Sequence, residues 1–154
     1  MKRYTFKLCI TKKCEICESD MMTDEYGNGQ CKICKWQNNN DSAPINYSLA
    51  CYPNLVSRNR AKELWAEGKP FKPTFEEFLE LYDYQSELEF YYKEKFYNVT
   101  RFRGYELSEY NQEENKAVWY QEYETIEDFA ANANIDGVLL KDIWDEAFEV
   151  DYSF

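Results

Sequence analysis

An α+β fold in two unlike modules is what this sequence of 154 residues predicts. Three observations carry that expectation. Two Cys-x-x-Cys pairs, Cys14–Cys17 and Cys31–Cys34, stand thirteen residues apart near the N-terminus. Charge is split along the chain: residues 1–70 carry eleven Lys/Arg against eight Asp/Glu, and residues 71–154 carry seven against twenty-one, so a net +3 precedes a net −14. After Lys69-Pro-Phe-Lys-Pro73 the apolar spacing is that of a helix, then of several alternating strands, then of helices again. Two prolines so close together make a stiff extended connector. We therefore expect one module over residues 1–70 and a second, acidic one over 71–154. Aromatic residues make up 18% of the chain, so even a small core can bury a large area.

Taken in order, Tyr4, Phe6, Leu8 and Ile10 alternate with Arg3, Thr5, Lys7 and Cys9, which predicts a half-buried strand over 3–10. Each Cys-x-x-Cys can form a tight turn that aims two thiolates at one point. Between them, Met21 to Gln30 contains the turn signal Tyr26-Gly-Asn-Gly29 and predicts a short hairpin. Trp36 should pack beside the cysteines, and Asn38 to Pro44 is polar enough to be a loop. Ser57 is placed to cap a helix over about 58–67, with Ala61, Leu64 and Trp65 facing the core and Gly68 ending it.

In the second module Thr74, with Glu77 three residues on, forms a capping box before a helix whose apolar face is Phe75, Phe78, Leu79 and Tyr82. Leu88, Phe90 and Tyr92 alternate as a strand should, and Lys93-Glu-Lys95 turns the chain. Residues 96–102, 105–110 and 117–123 read as further strands of an antiparallel β-meander, with Asn111 to Asn115 as a loop. Thr125 caps a short helix that Asn134-Ile-Asp-Gly137 interrupts, and residues 138–148 read as a last helix with Leu139, Leu140, Ile143, Trp144 and Phe148 available to the core. No internal repeat is recognised.

The cysteines carry the sharpest chemistry. Two Cys-x-x-Cys pairs at this separation suit a four-cysteine structural Zn²⁺ site, and a chain without histidine excludes the mixed Cys/His sets. The ligands are expected to be Cys14, Cys17, Cys31 and Cys34. Cys9 and Cys51 read as small apolar fillers. Four thiolates leave no open position for water, so hydrolytic metal chemistry is not expected. Lys12, Lys13, Lys32 and Lys35 flank the pairs and would offset the negative charge of a metal–tetrathiolate centre. The sequence is therefore zinc-ribbon-like in its first module. Enzymatic readings are weak: histidine, the commonest general base, is missing, Gly27-Asn-Gly29 is a turn and not a phosphate cradle, and Glu114-Asn-Lys116 lacks an upstream carboxylate partner. No apolar run is long enough to span a membrane, and the charged N-terminus predicts a cytoplasmic protein.

Cys14-x-x-Cys17, Cys31-x-x-Cys34-x-Trp36 and Asn46-Tyr-Ser-Leu-Ala50 leading into a helix resemble the small cysteine-rich CPCC family over about residues 12–71. That resemblance implies a zinc-ribbon-like fold and assigns no activity. Cys14-Glu-Ile-Cys17 stands where that family carries Cys-Pro-Cys-Cys.

The acidic module suggests a partner. Glu106, Glu109, Tyr110, Glu113, Glu114, Glu122 and Tyr123 are expected to share a surface of spaced carboxylates with interleaved tyrosines, and Tyr91 and Tyr97 are expected to be exposed as well. Such a surface could imitate a nucleic-acid backbone and occupy the basic groove of a nucleic-acid-binding protein. Acidic phage inhibitors of bacterial defence systems, CRISPR effectors among them, are similar in style. The bland alternative is a solvated acidic domain. Two functional readings follow: a non-enzymatic inhibitor that mimics DNA or RNA, or an adaptor whose basic module touches nucleic acid while the acidic one recruits a protein. A −14 module would repel phosphate, which makes direct nucleic-acid binding the weaker expectation.

Overall fold

The structure, a computed structural model, describes residues 10–38, 50, 54–85 and 87–153. The strand expected before Ile10, with Tyr4, Phe6, Leu8 and Cys9, most of the loop after Asn38, and Cys51 lie outside the described residues. The chain divides into two compact units, Met1–Phe71 and Lys72–Phe154. It contains both helices and antiparallel sheets, an α+β combination. No helix among the described residues is long and apolar enough to cross a membrane.

In the first unit β1 (Ile10–Lys13) pairs with β2 (Asp20–Thr23), and β3 (Gly29–Gln30) pairs with β4 (Gln37–Asn38). A Cys-x-x-Cys turn closes each hairpin. This corrects the hairpin expected between the cysteine pairs: Met21–Thr23 pairs backward across the first turn, and Gly29–Gln30 pairs forward across the second. The expected Tyr26-Gly-Asn-Gly29 turn exists, but it joins one hairpin to the other. The Asp24 carboxylate accepts from Tyr26 N–H at 3.0 Å and Asn28 N–H at 2.9 Å, an Asx-type turn. A Cβ at Gly29 would lie 2.4 Å from the Met22 carbonyl oxygen, so only glycine lets β3 pass this close to β2.

Helix α1 (Arg58–Ala66) begins where Ser57 Oγ accepts from Arg60 N–H at 3.1 Å. It ends in a Schellman arrangement: Gly68, with φ 69°, donates to Trp65 O at 3.0 Å, and Lys69 N–H donates to Leu64 O at 2.8 Å. Ala61 and Leu64 are buried against the cysteine cluster with Ile16, Met21, Trp36 and Val56. Trp65 was expected there too. It lies a further 100° round the helix from Leu64 and stays 41% exposed, because the buried stripe is only one residue wide. Phe71 packs back on this core, edge to face with Trp36 at 6.0 Å.

In the second unit α2 (Phe75–Gln85) starts with Glu77 N–H donating to Thr74 Oγ1 at 3.2 Å. The meander follows as β5 (Leu88–Tyr92), β6 (Lys95–Arg101), β7 (Tyr105–Asn111) and β8 (Lys116–Tyr123). Thr125 Oγ1 then accepts from Asp128 N–H at 3.0 Å and caps α3 (Ile126–Asn132). A small hairpin, β9 (Asn134–Ile135) with β10 (Val138–Leu139), leads into α4 (Leu140–Ile143), a 3₁₀ turn over Trp144–Glu146 and β11 (Phe148–Tyr152).

The last helix expected over 138–148 is thus one turn of α-helix and one of 3₁₀. Leu140, Ile143, Trp144 and Ala147 are buried at the helical spacing that prompted the expectation. The chain leaves that conformation because β5 has an unfilled edge, and β11 pairs there antiparallel. The sheet order is β11-β5-β6-β7-β8. Phe148, expected in the core, is carried to the sheet's other face and is 44% exposed.

Residues directly opposite on neighbouring strands share a face. Leu88, Phe90, Tyr97, Val99, Tyr105 and Leu107 form one face, under Phe78 and Tyr82 of α2, Phe129 of α3, and Trp144. Glu89, Tyr91, Phe96, Asn98, Glu106, Ser108, Tyr120 and Glu122 form the other, on which no described helix packs. Tyr97, expected to be exposed, is 1% exposed and stacks on Phe90 at 5.5 Å.

Candidate metal centre

The two Cys-x-x-Cys turns are built alike. Cys14 N–H donates to Ser19 O at 2.8 Å and Glu18 N–H to Cys14 O at 3.1 Å; in the second turn Cys31 N–H donates to Trp36 O at 2.9 Å and Lys35 N–H to Cys31 O at 2.9 Å. Glu18 and Lys35 both sit in the left-handed region. Each turn therefore points both of its thiols the same way, toward the other turn. Cys-Glu-Ile-Cys-Glu-Ser and Cys-Lys-Ile-Cys-Lys-Trp are a short structural repeat, a signal that was present in the sequence and went unrecognised.

The four Sγ atoms of Cys14, Cys17, Cys31 and Cys34 all lie within 4.8 Å of one another and could hold a metal ion. Two of their contacts run between the turns, Cys14 to Cys34 at 3.5 Å and Cys17 to Cys31 at 3.6 Å. A tetrahedron with metal–sulfur bonds of about 2.3 Å has edges of about 3.8 Å, so the cluster needs little adjustment to close on an ion. Cys14, Cys31 and Cys34 are buried at the centre of the unit's core, and Ile16 N–H donates to Cys14 Sγ at 3.4 Å.

Electrostatics push the same way. Burial raises the Cys14 and Cys34 thiols above the usual thiol range. Burial acts on Cys17 as well, but hydrogen bonds from the Ser19 hydroxyl and backbone and from the Cys31 and Cys34 thiols outweigh it and bring Cys17 down to about 6. The first proton leaves readily, and further negative charge is resisted. A divalent cation removes that resistance by supplying opposite charge to all four sulfurs. Among the lysines expected to flank the site, Lys13 is tied to Asp20 at 2.6 Å. The first turn carries acids, and its Glu15 lies 3.6 Å from Arg58 of α1.

The acidic residues expected to share one surface are divided by the sheet. Glu106, Tyr110 and Glu122 belong to the helix-free face, with Glu106 directly opposite Glu122. Glu113 and Glu114 are exposed on the β7–β8 turn, where Glu114 pairs with Lys116 at 2.9 Å; this is what becomes of the Glu-x-Lys motif. Glu109 and Tyr123 are corrections. Glu109 pairs with Lys95 at 3.1 Å on the helix-covered face. Tyr123 packs edge to face on Phe129 at 5.9 Å and its hydroxyl lies 2.9 Å from Gln121 Oε1. Both follow Tyr105 and Leu107 in strict alternation or in register, so the period of two already assigned them to the covered side.

A separate open groove of about 950 Å³ lies in the second unit beside the start of α2, lined by Lys72, Thr74, Glu76, Glu127, Lys141 and Asp142 among others. Its one half-buried cation, Lys72, already donates to Trp144 O at 2.5 Å. Searches against protein-family models, curated proteins and solved structures returned no match to this chain.

Proposed function

We propose that Cys14, Cys17, Cys31 and Cys34 hold one structural Zn²⁺ and that the chain is a non-enzymatic binding protein. The observation that carries the metal is the closure of four thiols within 4.8 Å at the centre of a small core. A sulfur-only tetrahedral set favours zinc, and iron is the other metal such a set accepts. Metal analysis of protein purified without added metal is expected to return one zinc per chain. A folded, metal-free protein, or stoichiometric iron, would sink the assignment.

The acidic unit, in this reading, docks on a basic nucleic-acid-binding protein and blocks it, as an inhibitor of a defence effector would. What supports it is the charge split of +3 against −14 together with Glu106 and Glu122 directly opposite each other on one face of the sheet. Pull-down from bacterial lysate at low and high salt tests it. A nucleic-acid-binding protein that is retained at low salt and displaced by added DNA or RNA supports the inhibitor reading. Direct retention of nucleic acid by this chain alone promotes the adaptor reading, for which the exposed Lys32, Ile33 and Lys35 on the second cysteine turn are the natural contact.

A further inference from the structure

Three rows cross the helix-free face of the five-stranded sheet. One is aromatic: Phe148, Tyr91, Phe96 and Tyr110, with successive ring centroids 5.6, 5.0 and 6.4 Å apart. The next runs in register through Asp151, Glu89, Asn98, Ser108 and Tyr120. The third is Thr100, Glu106 and Glu122. Two pairs of like charge therefore lie directly opposite each other, Asp151 with Glu89 and Glu106 with Glu122. Such pairs destabilise a sheet.

Hydrogen bonds offset them in part: Thr100 Oγ1 donates to Glu106 Oε2 at 3.5 Å and Tyr152 N–H to Asp151 Oδ1 at 2.8 Å. Among the described residues none of these four carboxylates forms an ion pair, and no Lys or Arg occupies a strand position on this face. Burial, with the neighbouring Asp151 carboxylate, raises Glu89 despite its hydrogen bond from Ser153. Between the two acid pairs, Asn98 Oδ1 is buried without a hydrogen-bond partner among the described residues. Tyr120, at the end of the same row, is 65% exposed. The face thus offers negative charge and aromatic rings within a few residues of one another.

We propose that this face is the docking surface for an arginine-bearing segment of a partner protein. A guanidinium supplies the missing positive charge, planar donors for paired carboxylates, and a flat cation that stacks on aromatic rings. An ammonium supplies only the first fully. The proposal rests on the binding-protein reading above and names the surface and the chemistry it recognises. A nucleic acid fits poorly, because its phosphates would meet four carboxylates.

The test uses the full chain, titrated with an oligoarginine peptide, an oligolysine peptide of the same length and single-stranded DNA, with backbone amide shifts followed by NMR. Oligoarginine is expected to move the amides of Tyr91, Asn98, Ser108 and Tyr110 and to bind several-fold tighter than oligolysine. Glu106→Lys with Glu122→Lys keeps like charge opposite like, so stability should hold while oligoarginine affinity falls about tenfold or more. Glu80→Lys with Glu146→Lys, both exposed on helical segments, is the matched control and should leave affinity within about twofold. Tyr91→Leu with Tyr110→Leu should erase the preference for arginine over lysine. Shifts confined to the helices, equal losses in the control pair, or DNA binding to this face would overturn the proposal. The two readings fail separately: peptide binding mapped here with no nucleic-acid-binding protein captured from lysate defeats the functional reading alone, and capture that survives Glu106→Lys with Glu122→Lys defeats the face assignment alone.

Discussion

Glu18 and Lys35 hold the same left-handed backbone conformation at matching positions after the two cysteine turns, with φ of 62° and 69°. In each turn this residue donates its N–H to the carbonyl of the first cysteine. Residues with a Cβ pay roughly 1–2 kcal/mol for that conformation, and glycine does not. Glu18→Gly and Lys35→Gly should therefore each stabilise the metal-bound protein by about 0.5–1 kcal/mol, after the extra chain entropy that glycine loses on folding. Thermal melts of the single and double variants check this, and the two effects should add.

Metal removal should separate the two units. The cysteines are the middle of the first unit's core, so a chelator, or Cys17→Ser, should abolish metal binding and unfold residues up to Phe71. The second unit has its own aromatic core and its own caps, and a fragment beginning at Lys72 should show a cooperative thermal transition by circular dichroism. A disordered fragment would refute the division. Cys51→Ser should leave metal content unchanged.

Alkali should attack the second unit. Burial, then the Glu109 and Asp136 carboxylates, push the Tyr97 phenol up from 10 to about 12, and burial raises Tyr82 as well. Both are held neutral in the fold, whereas the unfolded chain loses these protons near pH 10. The native state binds more protons across that interval, so their contribution is full below pH 10 and is lost as pH rises toward about 12. Unfolding followed against pH should show this loss, and Tyr97→Phe should move the alkaline midpoint upward.

Trp144 joins the connector to the sheet. Its Nε1–H donates to Pro73 O at 2.9 Å, and its ring lies 4.2 Å from Phe78 and 5.5 Å from Phe90. Trp144→Phe leaves that buried carbonyl without its donor and should cost about 1–3 kcal/mol. Trp144→Ala removes the ring as well and should cost about 3–5 kcal/mol. Denaturant titration of the fragment from Lys72 separates the two.

Much of this was legible in the sequence for reasons that are local. Thr74, Thr125 and Ser57 cap helices because a hydroxyl one residue before a helix can reach its free N–H groups. Leu88, Phe90 and Tyr92 are buried at every second position, as alternation demands. The cysteine spacing led directly to the tetrad. What escaped depends on pairing between distant segments. Residues 148–152 carry a weak pattern and become a strand only because β5 has room beside it. The cysteine hairpins pair across the turns because a left-handed Glu18 and Lys35 let each turn reverse the chain alone. Glu109 was grouped with Glu106 by composition, although their odd separation along β7 puts them on opposite faces.

The position of β11 also sets an order of events. The pairings from β5 through β8 join neighbours in the sequence, so each closes a short loop. β11 pairs with β5 only after the whole meander, α3 and α4 have intervened. Closing that loop carries the largest entropic penalty in the sheet, which makes it the slowest pairing to nucleate. It is also an edge interrupted by a register shift between Phe148 and Asp151, with Glu149 in a left-handed conformation. The amides of β11 should therefore exchange with solvent by local opening, well before those of β6 and β7. Phe148 and Asp151 are contributed by this strand, so the two rows they complete exist only while the edge is closed, and the opening equilibrium of a single strand sets how much of the face is assembled at any instant.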